Sequence, residues 1–172
     1  RSMNDWHSSF TLSKSAMSKS STAFALQSRS ELTALSYPTI GRSYGTACTV
    51  SDQIYGTPAL GTMAHSWVQM FDSEYEAFVH YCRTYPENAV LLVDTYDSLR
   101  SGVPNAIRAF DEILKPLGIK KCGIRFDSGD MAYLTKKARK MLDDAGWTEC
   151  RITVSNSLDE HLIRDLIRQG AR

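Results

Sequence analysis

From about residue 59 to residue 171 the chain alternates short apolar runs with longer stretches of helical periodicity. This alternation restricts the available folds more than any other feature of the sequence. The runs "ALGTM" (59–63), "AVLLVD" (89–94), "KKCGIRF" (120–126) and "CRITVS" (150–155) are predicted strands. "AVLLVD" is continuously apolar and closes on an acid, which suits a strand buried on both faces. Trp67, Met70, Phe71, Phe78 and Cys82 recur at helical spacings and predict one helix that must stop before Pro86. "VPNAIRAFDEIL" (103–114) has Pro104 in its first turn and Ile107, Phe110 and Leu114 on one face. In "MAYLTKKARKMLDDAG" (131–146), Leu134, Ala138, Met141 and Ala145 form the expected buried stripe, and Gly146 ends the helix. "SLDEHLIRDLIRQG" opens with Ser157 and Glu160 at capping-box spacing, with Leu162, Ile163, Leu166 and Ile167 expected to face inward.

Four strand–helix units with short connections predict an α/β fold with a parallel sheet and right-handed crossovers. Four units make either a small open sheet or part of an irregular, incomplete TIM-like barrel, which in full needs eight.

Residues 1–44 have a different texture. Ten serines fall between Ser8 and Ser36, and "SKSAMSKSS" carries Lys14 and Lys19 without an acid. So little apolar surface cannot offset the ordering entropy, so this segment is expected to be a disordered extension. A basic, Ser-rich leader is the alternative. Residues 45–172 form the predicted α/β domain. A net charge of +1 gives no reason to expect a nucleic-acid partner. No apolar run approaches the ~18 residues that cross a bilayer. Cys48, Cys82, Cys122 and Cys150 form no C-x-x-C pair, so no metal site is expected, and a reducing, cytoplasmic setting follows.

In parallel α/β folds the chemistry gathers at the carboxyl ends of the strands. Those ends carry Thr62 and His65; Asp94, Thr95 and Asp97; Arg125, Asp127, Ser128 and Asp130; and Ser155, Asn156 and Ser157. Taken singly, Asp94 and Asp97 could be helix caps, Ser157 a cap, and His65 a satisfied core imidazole. Arg125 is harder to explain as scaffold, because a guanidinium at the end of a buried strand needs an anion. Arg125 and Asp127 leave the same face of an extended chain. They can pair with each other, or divide a sugar phosphate between them. Gly129 in "DSGD" lets backbone approach a ligand, and the following helix start attracts anions. Neither a Walker loop nor a G-x-G-x-x-G fingerprint is present.

"GTMAHSW", "LLVDTYD", "GVPNAI", "GIRFDSGDMAYLTKKARKMLDDAG" and "VSNSLDE", in this order and spacing, resemble the nicotinate phosphoribosyltransferases over about residues 45–171. The resemblance implies a type II phosphoribosyltransferase with an irregular α/β barrel. It would convert nicotinate and phosphoribosyl pyrophosphate to nicotinate mononucleotide, coupled to ATP hydrolysis with Mg²⁺, in NAD salvage. It makes His65 the residue phosphorylated by ATP, with Asp94 the candidate to orient it. Thr62 joins the substrate-binding set. Arg125, Asp127, Ser128 and Gly129 match an R-x-D-S-G element that contacts the phosphoribosyl group. Asn156 and Ser157 match a loop near the ribose phosphate. A homodimer is implied for the full-length family.

The family's Phe-Gly-x-Arg-Arg element for the base has no counterpart, since no Arg-Arg pair occurs. Its glycine-rich 5′-phosphate loop is expected beyond Arg172. The chain is therefore expected to be an internal fragment with little activity alone. The alternatives are a nicotinamide-using relative and a non-catalytic half-barrel that binds phosphorylated ligands.

Overall fold

The computed structural model describes Phe10–Thr11 and Thr22–Leu26 as backbone, residue 53, and residues 61–171. The boundary near residue 44, Cys48 and residues 59–60 of the first predicted strand lie outside the described residues.

In chain order the elements are β1 (Phe10–Thr11), β2 (Thr22–Leu26), α1 (His65–Gln69), α2 (Glu74–Thr84), β3 (Val90–Leu92), α3 (Val103–Ala109), β4 (Gly123–Phe126), α4 (Met131–Asp144), β5 (Arg151–Val154) and α5 (Glu160–Arg168). Strands β3, β4 and β5 pair in parallel, with β4 in the middle. β2 adds in parallel along the far edge of β5, and β1 pairs antiparallel with β2, giving the order β1-β2-β5-β4-β3. The β3–β4 and β4–β5 pairs are those expected from strand–helix alternation, whereas β1 and β2 fall in the segment expected to be a disordered extension.

All four residues of β4 are buried. Ile124 and Phe126 meet Leu91, Leu92, Ile152 and Val154 from the flanking strands, and Phe78, Phe110, Leu114 and Leu142 from the helices, in one apolar core. Burying a side chain of this size contributes roughly 1.5–3 kcal/mol. Cys82, Cys122 and Cys150 are free and buried, and burial pushes the Cys82 thiol up to about 12.

Several expectations change at the level of local structure. Gly61, Thr62 and Met63 belong to no strand; they lead as loop to Ala64, an extended N-cap. The single helix expected across Trp67–Cys82 is two helices, because Ser73 accepts a hydrogen bond from the Glu76 N–H at 3.2 Å and starts α2 afresh. The segment expected over 103–114 is helical but carries a π-turn before it (Ser98–Gly102) and another at its end (Phe110–Leu114).

The buried stripe of α4 is rotated from its expected position. Ala132, Thr135, Ala138, Arg139 and Leu142 are buried, while Leu134, Met141 and Ala145 flank the core. The reason is Arg139, which turns inward to donate to the carbonyls of Cys150 (2.6 Å) and Trp147 (2.7 Å). Apolar periodicity cannot anticipate a buried guanidinium. The N-cap of α5 is Asp159, which accepts from Leu162 N–H at 2.7 Å, and not Ser157. Only Ile163 and Leu166 of that helix are buried; Leu162 and Ile167 are 42% and 51% exposed. Nine residues offer one narrow inward stripe, and these two lie beside it.

Candidate functional site

Parallel register brings the carboxyl ends of β3, β4 and β5 together. Leu92 is opposite Arg125, and Arg125 is opposite Thr153. The ladders continue past the strands, with Val93 N–H donating to Arg125 C=O (3.1 Å) and Ser155 N–H to Phe126 C=O (2.9 Å). Asp94, Asp127 and Ser155 therefore stand side by side on one rim.

Arg125 is the hub of that rim and is 6% exposed. Its Nε donates to Ser155 Oγ (2.7 Å), its Nη1 to Thr62 Oγ1 (2.9 Å) and its Nη2 to Asp127 Oδ1 (3.0 Å). One planar fork thus joins the loop before α1 to the ends of β4 and β5, a geometry that an ammonium could not supply. The Ser155 hydroxyl donates in turn to Asp127 Oδ1 at 2.5 Å. Burial alone would raise the Asp127 carboxyl. The Ser155 hydrogen bond and the Arg125 charge, helped by His65, outweigh that and hold it below its ordinary value.

Asp94 has one satisfied oxygen and one that is not. Oδ2 accepts from the Asp127 N–H and from Ser128 Oγ, each at 2.7 Å. Oδ1 is buried without a hydrogen-bond partner among the described residues and stands 3.9 Å from His65 Nε2. Asp127 Oδ2 lies 3.7 Å from the same nitrogen. Both distances exceed a hydrogen bond. The ring's hydrogen bond is at its other nitrogen, where His65 Nδ1 is 3.1 Å from Thr95 Oγ1. About a third of the imidazole is exposed (33%), so it lies at an opening and not within the core.

Thr62, His65, Asp94, Arg125, Asp127 and Ser128 thus form one connected group. Asn156 joins through its side-chain amide, which donates to Asp127 C=O at 3.0 Å. Among the described residues Ser157 Oγ donates to Asn156 Oδ1 alone, at 3.1 Å, and Gly129 is exposed without a polar side chain to offer. Asn156 and Ser157 both adopt left-handed backbone, with φ of 85° and 52°. Asparagine tolerates this conformation; serine there is strained, and such strain concentrates at ligand sites.

Asp97 and Asp130 are caps. Asp97 accepts from the N–H groups of Leu99 and Arg100, and Asp130 from that of Tyr133. Thr95 and Ser155 sit at the strand ends where chemistry gathers, yet the sequence alone gave them no role. Their signal was position only, since a hydroxyl there is as common in a turn as in a site.

The group offers carboxylates, a guanidinium and an imidazole around a shared opening. The orphaned Asp94 Oδ1 beside Asp127 Oδ2 is a fitting place for a hard cation that also carries ligand oxygens, as Mg²⁺ does with phosphates. Among the described residues there is no group of three or more His, Cys, Asp or Glu side chains that could hold a metal ion. A hollow lined by Lys120 and Trp147 lies elsewhere, before β4 and β5 and so at the opposite rim.

No protein-family model matches the chain. Curated proteins do. A nicotinate phosphoribosyltransferase of Bacillus subtilis is 53% identical over 120 residues, covering 69% of this chain and 24% of the relative. One from Mycobacterium tuberculosis is 46% identical over 125 residues, covering 72% of this chain and 26% of the relative. One from Dictyostelium discoideum is 34% identical over 184 residues, covering 81% and 31%. The chain thus spans about a quarter to a third of the length of these relatives. By these matches it belongs to the nicotinate phosphoribosyltransferase family.

Proposed function

We propose that the chain carries the phosphoryl-accepting and phosphoribosyl-holding part of a nicotinate phosphoribosyltransferase. The whole enzyme would transfer phosphoribosyl from phosphoribosyl pyrophosphate to nicotinate, with ATP consumed through His65. The parallel unit described above would be part of an irregular barrel in that enzyme, which would work as a cytoplasmic homodimer.

The observation that carries this reading is the placement of His65. With the proton on Nδ1 donated to Thr95, Nε2 keeps its lone pair at the opening, and none of the described residues hydrogen-bonds to it, Asp94 and Asp127 standing 3.9 and 3.7 Å away. Which ring nitrogen acts is set by the bond that the other makes. Nε2 would attack the terminal phosphorus of ATP. An N–P bond forms, the bond to the bridging oxygen breaks, and that oxygen leaves on ADP with the electron pair. The phosphoryl group would then lie against Asp94 and Asp127, whose like charge disfavours it and primes it for release.

Arg125 is held rigidly through three of its five N–H groups. The remaining two can meet a phosphate oxygen, and the Ser128 hydroxyl and Asn156 amide lie on the same rim. Mg²⁺ bound to the diphosphate, with Asp94 and Asp127 as its protein oxygens, would supply charge neutralisation. Reaction at the ribose carbon then needs positioning and fixed dipoles more than covalent help.

The test compares nicotinate with nicotinamide as acceptor in a chain carrying these residues at the full length of its relatives. Nicotinate mononucleotide formation that is stimulated by ATP, and loses the stimulation in His65→Ala, is expected. Turnover of nicotinamide alone, or ATP stimulation untouched by His65→Ala, would refute the reading.

A further inference from the structure

Glu74 is a buried carboxyl to which the proposed reaction gives no part. It opens α2 and is 4% exposed. Its Oε2 accepts from Ser101 Oγ at 2.5 Å and from Asn105 Nδ2 at 3.2 Å, and Asn105 Nδ2 also lies 3.2 Å from Ser101 Oγ. Its Oε1 is buried without a hydrogen-bond partner among the described residues. Burial raises this carboxyl above its ordinary value against the two hydrogen bonds, and the charges of Asp94 and Asp97 act in the same direction as burial. A group so costly to bury is kept by what it connects.

The connected segments are those that bear the imidazole and its partners. Glu74 heads the helix that follows α1, and α1 begins at His65. Ser101 lies in the π-turn directly after Asp94, Thr95 and Asp97, and Asn105 in the first turn of α3. That π-turn is seated on the end of β3: a Cβ at Gly102 would stand 1.8 Å from Val93 O. The turn cannot shift without moving the residues that lead from β3 into it.

We infer that Glu74 is a positioning residue, whose buried carboxyl ties the His65-bearing segment to the π-turn after Thr95 and so sets the His65–Thr95 hydrogen bond and the His65–Asp94 spacing. Its consequence for turnover rests on His65 being the phosphoacceptor; the mechanical coupling does not.

The test reads the ring nitrogens of His65 in the ¹⁵N-histidine-labelled chain by long-range ¹H–¹⁵N spectra. Glu74→Ala is expected to lose the hydrogen-bonded Nδ1 signature and to shift the Thr95 amide. Glu74→Gln, whose amide oxygen still accepts from Ser101 and Asn105, is expected to restore both. Glu76→Ala, on the exposed side of the same helix, should leave them unchanged. A folded Glu74→Ala with wild-type His65 signals would overturn the inference, as would Glu74→Gln behaving like Glu74→Ala. Should Glu74→Ala not fold, Asn105→Ala is read in the same way, and unchanged His65 signals there overturn it. Failure of the phosphoacceptor reading is seen separately, as no phosphate on wild-type His65 while the ring signals still respond to Glu74.

Discussion

His65 Nδ1 lies 3.1 Å from Thr95 Oγ1, a contact across 30 residues that joins the start of α1 to the end of β3. The hydroxyl holds one ring nitrogen, while Asp94 and Asp127 flank the other at 3.9 and 3.7 Å. Thr95→Val keeps the branched shape and removes the bond. One hydrogen bond is worth about 1 kcal/mol, so phosphoryl uptake by His65 should fall about fivefold. The rate of acid-labile phosphate incorporation measures this, and a wild-type rate would count against the role given to Thr95.

Arg125 predicts a graded loss of stability. Arg125→Met strands Asp127, Ser155 and Thr62 without their common donor. Breaking a buried ion pair in this way costs about 3–5 kcal/mol. Arg125→Lys keeps the charge but not the fork, and should fall between that variant and wild type. Urea titration orders the three; a Lys variant as unstable as the Met variant would mean that charge contributes nothing.

Asp127 predicts how the protein responds to acid. Its folded carboxyl titrates below its ordinary value, since the Ser155 hydrogen bond and the Arg125 charge outweigh burial. The unfolded state therefore binds its proton more readily. The contribution is present above the ordinary carboxylate value and is lost as pH falls through the lowered one. The Tm advantage of wild type over Asp127→Asn should be constant near neutrality and shrink below about pH 4. An advantage that grows on acidification would have the wrong sign.

Gly102→Ala tests the seat of the π-turn. The added methyl would stand 1.8 Å from Val93 O, which is backbone and cannot swing aside. Overpacking of this kind costs about 1–3 kcal/mol or more. Denaturant unfolding should show that loss, and the ring signals of His65 should move with it. An alanine variant as stable as wild type would place the turn elsewhere.

The sequence was most legible where one physical rule dominates. The continuous apolar run around Leu91 announced a strand buried on both faces, and Arg125 with Asp127 stood out because a buried guanidinium requires an anion. His65 was expected after a strand at 59–63, yet it reaches the rim from a loop, since Gly61–Met63 form no strand. What the sequence hid were choices between equivalent local options. Ser73 restarted a helix whose apolar spacing read as continuous. Asp159 capped α5 although Ser157 had the capping-box spacing, because Ser157 sits in left-handed backbone beside Asn156. Arg139 rotated α4 by finding carbonyl acceptors that only the tertiary fold supplies. Thr95 and Ser155 acquired roles from partners 30 residues away, at His65 and Arg125.

The most direct test is to incubate a chain carrying these residues at the full length of its relatives with Mg²⁺ and ATP labelled in its terminal phosphate, and to locate the label by ³¹P NMR and peptide mapping. The account predicts an acid-labile N–P signal on Nε2 of His65, absent from His65→Ala and weakened in Thr95→Val. Label that stays in His65→Ala, or a wild-type imidazole that takes up none, would contradict it.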